Sequence, residues 1–180
     1  VGELGFELHV APEAAADLYD ALLHAGAAHG IANAGYRAIE SLRLEKAYRA
    51  WGADINTEVT PLEAGLERFV AFDKGDFLGR DALLRQQRGG VGRRLATLAV
   101  DAADADCWGN EAVWAGDRVV GITTSGGYGY WLDRSLAVAY VDADVAVPGA
   151  SLAVEILGDR RRAVVLAEPP LDPENHRPRS

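Results

Sequence analysis

Three places in this sequence hold side chains whose type and setting could do chemistry. The first is the opening stretch Gly2-Glu3-Leu4-Gly5-Phe6-Glu7-Leu8, with Glu3 and Glu7. A carboxylate can accept two parallel hydrogen bonds from a ligand with adjacent N–H groups, and charge assistance gives such a pair strength and direction. The competing reading is a glutamate on the solvent face of a strand, which is far commoner. The second is Arg37, which shares a helix face with Ser41 and Leu44. Its guanidinium offers a planar fork of donors to carbonyl or carboxylate oxygens. Its structural alternative is an ion pair with Glu40. The third is His176 in the tail, able to stack or to donate one hydrogen bond, or simply exposed.

Other candidates are weaker. Thr124-Ser125-Gly126-Gly127-Tyr128-Gly129-Tyr130-Trp131 lacks the Gly-Lys-Ser/Thr ending of a phosphate loop and is followed by strand signals. Its glycines suit a tight barrel turn, with Tyr128 and Trp131 as packing residues or cavity lining. Cys107 is the sole cysteine, so no intrachain disulfide forms, and no Cys/His cluster has zinc spacing. Arg160-Arg161-Arg162 reads as a solvated hairpin, or as an attraction for a polyanionic tail. Net charge is -9, against a general nucleic-acid binder. No stretch reaches membrane-spanning length and no signal peptide is visible, so the cytoplasm, a reducing compartment, is the expected location.

The elements that must position these residues change character midway. Alternation over residues 6–10 predicts a strand, and Pro12 opens a helix to about residue 28, ended by Gly30. A second helix is expected over 36–48, with Glu45 and Arg49 paired i,i+4 and Arg43 and Glu45 on its surface. Thr60-Pro61-Leu62-Glu63 carries a capping box. Residues 69–72 read as a strand, and 76–87 as a turn and short helix. Beyond Gly89-Gly90-Val91-Gly92, short apolar runs at 95–100, 111–114, 118–122, 135–141, 152–156 and 163–166 alternate with turns. This predicts an α+β part over residues 1–90 and an all-β barrel or sandwich over 91–180. Hydrophobic residues make up 49%, enough for a real core. The sequence has no methionine and opens on strand-like residues, as a piece of a longer chain would.

Several segments in register carry a family resemblance: Gly2-Glu3-Leu4-Gly5-Phe6-Glu7-Leu8, Gly35-Tyr36-Arg37-Ala38-Ile39-Glu40-Ser41-Leu42-Arg43-Leu44-Glu45-Lys46, Tyr48-Arg49-Ala50-Trp51-Gly52-Ala53-Asp54-Ile55, Thr60-Pro61-Leu62-Glu63-Ala64-Gly65-Leu66, Asp73-Lys74-Gly75-Asp76-Phe77-Leu78-Gly79-Arg80, and the Thr124–Gly129 glycine run. Together they resemble the C-terminal half of the glycine-cleavage T-protein (aminomethyltransferase) superfamily, and Tyr-Arg-Ala-Trp-Gly its dimethylglycine/sarcosine oxidase and dehydrogenase branch. The resemblance implies an α+β fold: the end of a folate-binding domain, then a small all-β barrel. It implies tetrahydrofolate as cofactor, with Glu7 on the pterin (Glu3 its competitor), Arg37 on the ligand, and His176 where the family has a folate-contacting tyrosine. It implies one-carbon transfer from a small N-methylated amine or aminomethyl donor. FAD is implied only in an N-terminal domain outside this sequence, where an iminium forms for capture as methylenetetrahydrofolate. The family's catalytic aspartate also lies upstream, so no catalytic residue and no activity of the piece alone are expected. A stand-alone T-protein and a non-catalytic folate-binding module remain alternatives. Against iron–sulfur maintenance relatives, Lys74-Gly75-Asp76-Phe77 lacks their cysteine.

Overall fold

The computed structural model describes residues 1–179. Among the described residues three α-helices precede six strands. The helices are α1 (Ala15–Gly26), α2 (Tyr36–Glu45) and α3 (Arg80–Gly89). The strands are β1 (Arg93–Val100), β2 (Ala112–Ala115), β3 (Arg118–Gly129), β4 (Arg134–Asp142), β5 (Ser151–Ile156) and β6 (Asp159–Val165). All strand pairs are antiparallel, and the order β1-β4-β3-β2-β5-β6 closes into a barrel through β6–β1. Closure leaves no free edge to pair with another chain.

The barrel interior is filled by Leu98, Val113, Ala137, Ala139, Val141, Val154 and their neighbours. On the outer face, Leu136, Val138 and Tyr140 of β4 pack with Leu95 and with Leu44 of α2. Strand β4 is thus covered on both sides, which explains its unbroken apolar run where a half-exposed strand would alternate. Helix α2 is thereby fixed to the barrel, whereas α1 buries no residue.

Several local expectations need correction. Residues 5–11 form no strand: the alternation is there, but no second strand pairs with it. Residues 69–72 are not a strand either, but the end of a single 3₁₀ turn, Glu67–Phe69, and irregular chain after it. The capping box closes, Thr60 N–H to Glu63 Oε2 at 2.8 Å and Glu63 N–H to Thr60 Oγ1 at 3.2 Å, yet it caps only a turn over 61–65. Helix α2 stops at Glu45, and Ala47 adopts φ 52, so Glu45 and Arg49 never share a helix face. Arg43 and Glu45 are not surface residues; both are buried. Glu45 Oε1 instead accepts the Trp131 and Leu132 N–H groups at 2.6 and 2.9 Å, and Arg49 reaches Glu168 at 2.6 Å. The glycine run is not a turn but the end of β3, paired with β4 through Gly126–Ala137 and Gly127–Leu136.

Candidate functional site

The site begins at α2. Its C-terminal half is anchored by Leu44 in the outer core, and Ser41 Oγ donates to the Tyr128 carbonyl at 2.7 Å, fastening the helix to the glycine-rich end of β3. Arg43, 7% exposed, lies between two carboxylates. Its Nε and Nη2 donate to Glu40 Oε2 at 2.8 and 2.7 Å, and its Nη1 to Asp54 Oδ2 at 2.5 Å.

Asp54 is the hub. It is 1% exposed and accepts four donors: Arg43, the Ala50 N–H at 2.9 Å, and the Thr124 and Ser125 hydroxyls at 2.6 Å each. Its backbone carbonyl accepts the Tyr140 hydroxyl at 3.0 Å. A buried carboxylate is tolerable only when its lone pairs are so occupied. The result ties the turn after α2 to β3.

A second carboxylate fixes the facing loop. Glu111 accepts the Trp108 and Gly109 N–H groups at 2.9 Å each, together with the Thr123 hydroxyl. Burial opposes its ionisation, but these hydrogen bonds outweigh it and hold the carboxyl below its ordinary range. Trp108 is thereby presented to α2, where the Arg37 guanidinium lies 4.7 Å over its ring.

Between these walls is a cavity of about 710 Å³. Tyr36, Trp51, Trp108, Tyr128 and Tyr130 give it aromatic sides, and Arg37, Glu40 and Asp106 supply charge. Gly126 lies on its lining, where a Cβ would come 2.6 Å from Cys107 Cβ, so only glycine lets strand and loop approach so closely. Burial pushes the Cys107 thiol up to about 12, with Glu111 and Asp106 adding repulsion, so it is no nucleophile near neutral pH. An aromatic-walled recess with a few fixed polar groups suits a flat heteroaromatic ligand.

Of the residues singled out from sequence, the structure brings Arg37 to this cavity. It is not paired with Glu40, which belongs to Arg43. Glu7 is exposed on the extended N-terminal segment, with His9 Nε2 3.6 Å away, and does not line the cavity. Glu3 accepts from Arg177 at 2.8 Å. His176 is exposed, its Nε2 2.6 Å from Glu174, and it too is outside the cavity. The tail is nonetheless held near α2: Lys46, 2% exposed, donates to Asp172 at 2.7 Å and Asn175 at 2.8 Å. The arginine run lies on β6, with Arg160 and Arg162 exposed. Sequence reasoning missed Asp54, Glu111 and the buried roles of Arg43 and Lys46. The available signal was the density of charge around Leu44, too high for a helix face that must pack. Among the described residues no group of three or more His, Cys, Asp or Glu could hold a metal ion, and no helix is long and apolar enough to cross a membrane.

Comparison with known proteins gives consistent matches. Residues 1–74 match the family "GCVT N-terminal domain", and residues 93–172 the "Glycine cleavage T-protein C-terminal barrel domain". The chain is 47% identical over 169 residues to mitochondrial dimethylglycine dehydrogenase of Homo sapiens, covering 93% of this chain and 20% of that protein. It is 39% identical over 185 residues to mitochondrial sarcosine dehydrogenase of Mus musculus, covering 98% of this chain and 20% of that one. The chain thus spans about a fifth of the length of these relatives. The crystal structure of glycine cleavage system aminomethyltransferase T from Bartonella henselae superposes with a TM-score of 0.81 at 26% identity, over 89% of this chain and 45% of that one.

Proposed function

Because the chain belongs to the glycine-cleavage T-protein superfamily, we propose that the cavity between α2 and β3 holds tetrahydrofolate. In this reading the chain serves one-carbon (aminomethyl or methylene) transfer as the C-terminal part of a dimethylglycine- or sarcosine-type oxidase or dehydrogenase. The observation that carries the reading is the stacked Arg37–Trp108 pair inside an aromatic-walled recess of about 710 Å³. Tetrahydrofolate, when bound, supplies the acceptor for the one-carbon unit. The aromatic side chains offer flat faces on which a ring can stack, while Arg37 donates to a carbonyl or carboxylate oxygen of the ligand.

Glu7 and His176, which do not line the cavity, join Arg37 as proposed folate contacts in the full-length parent protein. The amine partner is a small N-methylated amine or an aminomethyl donor, and FAD belongs to an N-terminal domain of the parent protein. We divide the chain at residue 90 into the end of the folate-binding domain and the barrel, and place it in a reducing compartment, the cytoplasm; both dehydrogenases above are named as mitochondrial. A second reading, a stand-alone aminomethyltransferase, is favoured by the likeness to the Bartonella enzyme.

The test is a titration of the full-length parent protein with 5-formyltetrahydrofolate, read by quenching of tryptophan fluorescence. Charge-assisted contacts of this type contribute roughly 1.5–3 kcal/mol, so Arg37→Ala and Glu7→Gln are each expected to weaken binding by about a factor of ten or more. Wild-type affinity in Arg37→Ala removes the cavity from the folate site. Wild-type affinity in Glu7→Gln removes Glu7 alone.

A further inference from the structure

The cavity contains a carboxylate with an unused face. Glu40 lines it from α2, one helical turn after Arg37, and its side chain is 32% exposed. Both hydrogen bonds from Arg43 go to Oε2, and no hydrogen bond among the described residues reaches Oε1. Arg43 cannot easily turn away, because Asp54 and the Tyr48 carbonyl hold its Nη1. Glu40 therefore stands in a fixed direction with one oxygen available. Asp106, the other carboxylate on the lining, makes no hydrogen bond among the described residues and has no such anchor.

We propose that Glu40 is a ligand-contacting residue, its Oε1 accepting from an N–H of the bound ligand while Arg37 faces a carbonyl or carboxylate oxygen of it. The inference rests on the reading of the cavity as the folate site and adds a contact to it. On a helix, positions three apart lie about 5–6 Å apart at Cβ, so one acceptor and one donor fork face the same ligand edge. A ligand that offers an N–H donor and an oxygen acceptor within that span satisfies both; a purely anionic ligand would meet repulsion at Glu40. Because Arg43 has already immobilised the carboxylate, little side-chain freedom is lost on binding. The buried Arg43–Asp54 pair then has a purpose beyond packing: it is the positioning element for Glu40.

The experiment measures 5-formyltetrahydrofolate affinity of the full-length parent protein for wild type, Glu40→Gln, Glu40→Asp and the remote control Glu13→Gln, with a melting curve for each. Loss of one charge-assisted acceptor is expected to weaken binding roughly ten- to a hundredfold in Glu40→Gln. Glu40→Asp, which keeps the carboxylate, is expected to recover part of that loss, and Glu13→Gln to bind as wild type. Wild-type affinity in Glu40→Gln overturns the inference. So does a Glu40→Asp protein as weak as Glu40→Gln, because the loss is then one of packing; this comparison also decides the matter where Glu40→Gln melts early. Failure of the wild type to bind is a different result and removes the folate reading itself.

Discussion

Replacing Asp54 by asparagine tests the wall of the cavity directly. The substitution keeps size and shape, but the carboxylate now accepts from four donors in two pairs: Oδ1 from Thr124 and Ser125, and Oδ2 from Arg43 and the Ala50 N–H. An amide has one acceptor oxygen. Turned toward Arg43 and the Ala50 N–H, it leaves its NH₂ facing the two hydroxyls, which can rotate to accept, so what is lost is the charge opposite Arg43 and the two hydroxyl bonds to a carboxylate. Breaking a buried ion pair by removing one partner costs about 3–5 kcal/mol. Arg43 retains Glu40 through two hydrogen bonds, so its charge is not stranded, which favours the lower end, about 3 kcal/mol. For a chain of this size each kcal/mol moves the melting temperature by roughly 2–4 °C, giving a fall of about 6–12 °C. The assay is thermal and urea unfolding followed by circular dichroism. Thr124→Val, which removes one of the four donors, is expected to cost about 1 kcal/mol and so serves as internal scale. An Asp54→Asn protein within about 1 kcal/mol of wild type would mean that the carboxylate is not the buried hub described, since even one net hydrogen bond is of that size.

Further expectations follow from the same structure. The Lys46 ammonium, with the His176 and Arg177 N–H groups, holds the Asp172 carboxyl down to about 2 from an ordinary 3.8. A depressed carboxyl stabilises the fold above its unfolded value and loses that effect as pH falls, so acid titration should weaken the tail clasp between about pH 4 and pH 2; Asp172→Asn should abolish that step in amide exchange of residues 171–177. Cys107, with its thiol pushed up to about 12, should resist a disulfide reagent at pH 8 in the folded protein and react on unfolding; fast labelling without unfolding would contradict its burial. The 180-residue chain alone, given tetrahydrofolate and formaldehyde, should form methylenetetrahydrofolate at the spontaneous rate, because gripping one end of the ligand without positioning its reacting nitrogen forgoes the proximity advantage; a clear excess would show a complete site.

The barrel was legible because its signal is local. Each of the six apolar runs overlaps a strand, and the pairs β2–β3, β3–β4 and β5–β6 join neighbours in the chain. What failed was non-local. The pattern at 6–10 is as good as that of several barrel strands, but pairing depends on a second strand that local alternation does not register. The glycine run misled in the other direction: glycine usually breaks a strand, yet β3 keeps Gly126, where Cys107 leaves no room for a Cβ. In the site, Arg37 could be picked out from its residue type and helix face. Asp54 could not, because its partners lie 11, 70 and 71 residues away.

The buried charges of α2 and the turn after it pose a physical question that the apolar core does not. Arg43, Glu45, Lys46 and Asp54 surround the fully buried Leu44 region and are nearly or wholly inaccessible. Charges removed from water rarely add net stability over apolar residues of the same volume, because desolvation offsets most of the Coulombic gain. They do enforce geometry, since a carboxylate with fixed donors has few alternative arrangements of similar energy. Together these groups reach three parts of the molecule: Arg43, through Asp54, the middle of β3 at Thr124 and Ser125; Glu45 the turn at Trp131 and Leu132; and Lys46 the tail at Asp172 and Asn175. A single helix is therefore locked to three separate segments, two of which carry cavity-lining residues. Apolar contacts alone would let α2 slide by fractions of an ångström at little cost, while a slide that breaks any one of these polar anchors strands a buried charge. The polar lattice behind the cavity is thus best understood as what keeps Arg37 and Glu40 in register with the aromatic wall opposite.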